Sequence, residues 1–468
     1  MAASQSLAMS ARARQMREQG IDVISMSVGE PDMDTPEHIR RAGQEAIESG
    51  FSHYGPIAGL ASLREAIAAA QNAQVTEYKN TQNTACADIN IEKKNAESTV
   101  ADRDLRVTTN QPAREQAPVQ EACEFRTAGT GPQSPQDSLQ KCANASENVK
   151  NNEQGITFDA CDVIVSVGAK MAIYNAIQTA INPGDEVIIP MPSWVSYGEM
   201  VKIAGGVVVP VVTKRENRYC MTAEQLRAAL TPKTRMLILC SPNNPTGSVY
   251  SYEELKAIVE VLREWPEVVV LSDEIYNALV YSDEENKNII CSMAFFPEIA
   301  DRLIIVNGVS KAYAMTGYRI GWMLTKDKAF LAAYTRLQGQ ELTCATMVAQ
   351  KAAEAALRGD QQCVSQMRET FAERRELICR LAAEIPGFRF DKPEGAFYLF
   401  PDVTALFGKK GIANADALAE YLLENAHVAV VSGSAFGCPD CIRLSYAIST
   451  EEITEAMRRI KKAVERLG

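Results

Sequence analysis

Six short apolar runs punctuate the middle of the chain: residues 163–167 (VIVSV), 186–189 (EVII), 207–212 (VVVPVV), 236–240 (MLILC), 268–271 (VVVL) and 303–306 (LIIV). Each ends in turn-forming residues, and most lead into a stretch with helical spacing of apolar positions. Runs that are apolar at nearly every position, instead of every second one, predict strands covered on both faces. Their alternation with helices predicts an α/β fold around a mainly parallel sheet. From about residue 326 the pattern changes to long amphipathic helices (KAFLAAYTRLQ, MVAQKAAEAALRG, MRETFAERRELICRLAAEI) and then to short strands around FRF, AFYLF, VAVV and IRLSYA. That second pattern predicts a smaller α+β domain.

Residues 72–151 fit neither pattern. Val, Ile, Leu, Met, Phe, Trp, Tyr and Cys supply only 14 of these 80 positions, too little apolar side chain to offset the entropy of ordering the segment as a core. Pro112, Pro118, Pro132 and Pro135 break any long helix in it. The segment reads as a mostly disordered insertion, tolerated at the surface because long loops add little closure entropy; a partner-binding segment is the alternative. The predicted division is a large domain over 31–324, interrupted by 72–151, and a small domain formed by 1–30 with 325–468.

Composition narrows the function. Lys and Arg number 48 against 59 Asp and Glu, a net charge of −11, which repels nucleic acid and anionic lipid. No run approaches the roughly 18 apolar residues that cross a bilayer, and the first residues lack the apolar stretch of a secretory signal. A soluble, cytoplasmic protein is expected, without nucleic-acid or membrane partners. The twelve cysteines are scattered, as reduced thiols are. Cys438 and Cys441 in GCPDC have the spacing of a redox or half metal site. With no second CxxC and only His38, His53 and His427 in the chain, they read as loop thiols, and no metal is expected.

Five segments carry the chemistry: SVGEPD (27–32), SPNNPTG (241–247), SDEIY (272–276), SKAYAMTGYRIG (310–321) and CIRLSYA (441–447). In this order they resemble the fold-type-I pyridoxal-phosphate aminotransferases, in particular the bacterial-type aspartate aminotransferase subgroup. The resemblance covers the whole chain except 72–151. It implies a PLP-transferase fold, pyridoxal 5′-phosphate as cofactor, and a homodimer with shared active sites.

Residue by residue, the resemblance makes Lys311 the amine that forms the Schiff base and shuttles a proton, a role that needs a depressed lysine pKa. Asp273 matches the carboxylate that keeps the pyridine nitrogen protonated; without the resemblance a strand-end helix cap is its competing reading. Tyr276 and Asn244 match the partners of the cofactor's phenolic oxygen. Gly168, Ala169 and Lys170, at a strand-to-helix junction, and Arg319 match the phosphate site. Gly308 stands where relatives often place a serine, with Ser310 as the substitute. Tyr54 matches the tyrosine that reaches the neighbouring subunit's phosphate. Trp194 matches the ring stacked on the pyridine, and a core tryptophan is its other reading.

Arg443, assisted by Asn244 and the backbone of Gly29, matches the receptor for the substrate α-carboxylate. Lys170 and Ser6 match the groups that hold a second carboxylate, although a solvated lysine in a first helical turn is the competing reading for Lys170. The activity implied is transfer of the amino group of aspartate to 2-oxoglutarate, with prephenate as the runner-up acceptor. A dinucleotide enzyme would need GxGxxG, which is missing. A silent cofactor-binding regulator would need a basic module, and the only extra segment carries 9 positive and 11 negative side chains.

Overall fold

All six apolar runs become strands of one sheet in the computed structural model, which describes residues 5–77, 155–281 and 292–468. In chain order, after a short β1 (Ile24–Ser25), they are β2 (Val163–Val167), β3 (Glu186–Met191), β4 (Val207–Val212), β5 (Thr234–Cys240), β6 (Val269–Asp273) and β7 (Leu303–Gly308). A seventh strand, β8 (Ile320–Leu324), gives the order β2-β8-β7-β6-β5-β3-β4. Strands β3 to β7 pair in parallel, while β8 runs antiparallel to both β2 and β7. Strands β5 to β8 are buried along almost their whole length, as near-continuous apolar runs require. Strand β4 departs from that expectation. It lies at the edge, and Val207 and Val212 are 49% and 65% exposed.

This topology gathers chemistry at one edge. The parallel strands β5, β6 and β7 end there in Cys240, Asp273 and Gly308, and the helix Gly168–Ala180 begins directly after β2. Strand β8 runs the other way, so its start reaches the same edge, with Gly321 opposite Gly308. A Cβ on Gly321 would stand 2.2 Å from the backbone nitrogen of Ala169. Only glycine lets that helix start pack so closely on the strand.

A second sheet has the order β11-β12-β9, from β9 (Tyr398–Leu399), β11 (Val431–Ser432) and β12 (Ile442–Ser445), and β1 pairs with β10 (Val428–Ala429). The FRF segment contributes only an isolated bridge, Arg389 to Asp402. The helices Gln362–Ala383, Ala415–Ala426 and Thr450–Glu465 bury Phe371, Leu422 and Ile460 in one core with Phe397 and Leu444. Met26 N donates to Ala429 O at 2.9 Å and Ser445 N to Met26 O at 2.8 Å, which ties the segment before Gly29 to the strand that carries Arg443.

Residues 1–75 and 155–468 form one unit. The boundary of the insertion needs correction: residues 61–77 are a single helix, so the chain is still ordered past 72. The Asn72 amide donates to Phe158 O and accepts from Phe158 N, both at 2.9 Å, and Val75 is buried. Averaging composition over 80 residues hides a few anchored positions at one end. Residues 78–151 lie outside the described residues. Among the described residues, no helix is long and apolar enough to cross a membrane.

Candidate active site

The strand ends enclose a cavity of about 370 Å³, whose lining includes Gly29, Ala169, Lys170, Trp194, Asn244, Asp273, Tyr276, Lys311, Arg319 and Arg443. Lys311 follows the end of β7 by three residues, and its Nζ donates to Gly29 O at 2.5 Å. Loss of hydration lowers its ammonium to about 8; Arg443 and Arg319 act in the same direction, and Glu30 and Asp273 oppose them. A useful fraction of neutral amine therefore exists near neutral pH.

Asp273 closes β6 and is 3% exposed. Its Oδ2 accepts from Tyr197 OH at 2.5 Å and its Oδ1 from Ile275 N at 3.2 Å. Burial pushes the carboxyl up to about 6 despite these donors and Lys311. Glu274 bonds elsewhere: its Oε1 accepts from Ser272 Oγ and Met293 N, both at 3.0 Å, and it does not line the cavity.

An anion site lies at the start of the helix Gly168–Ala180, where free backbone N–H groups and the helix dipole favour negative charge. Gly168 has φ +75°, and a Cβ there would stand 2.5 Å from Arg319 Nη2. Arg319, itself at φ 56°, reaches back over that helix start, and its Nη1 donates to Thr316 O at 2.9 Å. No side chain fits at Gly308, since its Cβ would meet Ile320 O at 2.9 Å. Ser310, two residues on, lines the cavity instead.

Trp194 presents a ring to the same cavity, with Lys170 Nζ 4.8 Å from its centroid. Partial burial, then Arg319, lowers the Lys170 pKa. Arg443, on β12, is 5% exposed; its Nη1 donates to Asn244 Oδ1 at 2.9 Å and its Nη2 to Ser27 O at 2.7 Å. The Tyr398 and Phe436 rings lie 4.5 and 4.9 Å from the guanidinium. Arg443 Nε is buried and has no acceptor among the described residues. Asn243, next to Asn244, closes its own turn by accepting from Gly247 N at 2.8 Å.

One candidate is not brought to the cavity. Tyr54 is 90% exposed and does not line it. Ser6 lies in the helix Gln5–Glu18, but its side chain is outside the described residues. Two residues were missed. Tyr197 bonds Asp273, and Tyr398 OH lies 2.7 Å from Tyr276 OH. Tyr197 had a faint signal, three residues after Trp194 on the first turn of the helix Ser196–Ile203; Tyr398 had only its place in an apolar strand.

This donor set fits pyridoxal phosphate. An amine with a lowered pKa, a buried carboxylate, an aromatic face, and a helix start with a guanidinium match, respectively, an aldehyde, a pyridine nitrogen, a flat ring and a phosphate. The glycine at 168 leaves open the space between Arg319 and the helix start.

Comparison with known proteins agrees. The family model for aminotransferase class I and II matches residues 21–93 and 108–460. The chain is 36% identical over 462 residues to an aspartate aminotransferase of Bacillus sp. (strain YM-2), covering 99% of this chain and 96% of that protein. It is 34% identical to the aspartate/prephenate aminotransferase of Nitrosomonas europaea, over 98% of this chain and 96% of that one. The crystal structure of the aspartate aminotransferase from Rhizobium meliloti superposes with a TM-score of 0.78 at 32% identity, covering 100% of this chain and 97% of that one. The Thermus thermophilus aspartate aminotransferase with maleate gives 0.74 at 31% identity, over 99% of this chain and 97% of that one. A family match across nearly the whole chain, joined to a cavity with this donor set, means that the chain belongs to the aminotransferase class I and II family of pyridoxal-phosphate-dependent transaminases.

Proposed function

We propose that the protein transfers the amino group of aspartate to 2-oxoglutarate. The observation that carries the dicarboxylate reading is the presence of two cations, Arg443 and Lys170, in the wall of the cavity that holds Lys311. Arg443 offers a planar fork for the α-carboxylate, stiffened by Asn244, Ser27 and two flanking rings. Lys170 takes the distal carboxylate with help from Ser6, and its position over Trp194 keeps it from wandering into solvent. Gly29 supplies backbone groups beside the α-carboxylate.

Pyridoxal phosphate, when bound, supplies an aldehyde that accepts the amino group and a ring that withdraws electrons from the substrate Cα. Lys311 Nζ takes the proton from that Cα. With that group bound, Asp273 would hold the ring nitrogen's proton, Tyr276 and Asn244 would bind the phenolic oxygen, and Trp194 would pack on the ring. Gly168, Ala169 and Arg319 bind the phosphate. Tyr54, exposed in the single chain, completes the phosphate site of a second subunit, so the working form is a homodimer.

The site lies between a large domain over 31–324 and a small domain of 1–30 with 325–468. A cytoplasmic setting suits the free thiols of the eight described cysteines. The relatives named aspartate/prephenate aminotransferase keep prephenate as a second acceptor. The test is a coupled assay on the purified holoenzyme: aspartate with 2-oxoglutarate should outrun alanine or phenylalanine with the same acceptor. Equal rates for monocarboxylic and dicarboxylic amino acids would contradict the assignment.

A further inference from the structure

The CxxC pair, which the proposed reaction does not use, sits in the turn that leads straight into the strand carrying Arg443. Cys438 Sγ and Cys441 Sγ are hydrogen-bonded at 3.5 Å. Cys441 N donates to Cys438 O at 3.2 Å, and such an i to i+3 turn keeps its end Cα atoms within about 7 Å, the span that a disulfide bridges. Cys438 is partly exposed and Cys441 is buried. The hydrogen bond between the two thiols lowers the Cys438 pKa, and the same bond, with burial, raises that of Cys441. A partly exposed thiol with a lowered pKa thus has a protonated resolving thiol behind it.

The turn is mechanically joined to the substrate arginine. Gly433 N donates to Cys441 O at 2.7 Å and Cys438 N to Gly433 O at 2.9 Å. A Cβ on Gly433 would stand 2.1 Å from Cys438 O, so the two segments touch without slack. Three residues after Gly433, Phe436 packs with Cys441 in one apolar cluster and lies 4.9 Å from the Arg443 guanidinium.

We propose that Cys438 and Cys441 are a reversible oxidation site, closed to a disulfide by a low-molecular-weight disulfide, and that closure weakens carboxylate capture by Arg443. The Cys438 thiolate attacks one sulfur of the small disulfide and expels the first small thiolate. Cys441 passes its proton to that leaving group, attacks Cys438 Sγ and expels the second. The Cys438–Cys441 bond forms as the small disulfide's bond breaks. Two protein thiols are oxidised; one small thiol leaves with the Cys441 proton, and the second takes from solvent the proton that Cys438 released on ionising. The coupling half of this proposal rests on the role given to Arg443 above.

The test equilibrates the holoenzyme in buffers of graded glutathione to glutathione-disulfide ratio, quenches with N-ethylmaleimide and maps the peptides. As the buffer becomes oxidising, the peptide carrying both cysteines should lose two alkyl groups. KM for aspartate should rise about tenfold, the scale of one misplaced charge-assisted hydrogen bond, with a smaller change in kcat and full reversal by dithiothreitol. Cys438→Ser should keep the reduced enzyme's KM in every buffer. The proposal fails if the peptide takes two alkyl groups throughout, or if it closes with KM unchanged. Arg443→Lys separates two failures. A KM indifferent to that substitution sinks the reading of Arg443, whereas a KM that responds to it but ignores oxidation sinks the coupling.

Discussion

Replacing Tyr197 with Phe removes a single oxygen from the site and leaves the ring, which packs edge-on to Trp194 at 5.3 Å. The lost hydroxyl is the nearer of the two hydrogen-bond donors on a buried carboxylate, 2.5 Å from Asp273 Oδ2; the other is Ile275 N at 3.2 Å. A hydrogen bond to a buried charge is worth about 1.5–3 kcal/mol. At about 1.4 kcal/mol per pH unit, its loss moves the titration of Asp273 upward by about one to two pH units. The shift is upward because the donor favours the ionised form, and burial already lifts this carboxyl to about 6. Activity that needs the ionised form falls as pH drops through that value. The assay is kcat/KM for aspartate and 2-oxoglutarate between pH 5 and 9. The acid limb of Tyr197→Phe should lie about one to two pH units above that of the parent, and the two profiles should converge at the alkaline end. Superposed limbs would refute the claim that Tyr197 holds Asp273 ionised.

Lys170→Ala should lower kcat/KM for aspartate at least about tenfold more than for alanine, one charge-assisted contact being lost only with the dicarboxylate; an equal loss for both would assign Lys170 to the cofactor alone. Burial lifts the Glu274 carboxyl from 4.5 to about 8, so the native chain holds that proton more tightly than the unfolded chain. Stability then falls as pH rises through that window, by on the order of 4 kcal/mol at most. Glu274→Gln should remove that fall, read as a Tm that declines less than the parent's between pH 5 and 9. Asn72→Ala should cost about 1–3 kcal/mol in urea unfolding, because it leaves both backbone groups of Phe158 without their amide partner. A neutral result would put the end of the ordered helix earlier than 72.

Strands apolar at nearly every position were legible because a sheet covered on both faces leaves no polar side; β2, β5, β6 and β7 lie where their runs predicted. Strand β8 escaped because Gly321 and Trp322 interrupt any β-branched run and because it starts inside a motif read for its chemistry. Its antiparallel direction, which brings Arg319 to the start of the helix Gly168–Ala180, is a property of the sheet that no local pattern encodes. The cavity gathers Lys311, Asp273, Tyr276, Asn244, Trp194, Lys170 and Arg443 from six segments far apart in the chain. The family resemblance of short segments made these findable: most follow the end of a strand, and Arg443 lies within β12. Tyr197 and Tyr398 act through other side chains, so their neighbours in sequence say nothing of what they touch. Tyr54 is expected to act in a neighbouring subunit, which a single chain does not contain, and the Ser6 side chain lies outside the described residues.

Under the proposed function, Lys311 is the amine that joins pyridoxal phosphate. Borohydride reduction of the holoenzyme, followed by proteolysis and mass mapping, tests it directly. The account predicts one pyridoxyl group per chain, on the peptide holding Lys311, with neither label nor turnover in Lys311→Ala. A label on any other lysine, or turnover that survives the substitution, would contradict it.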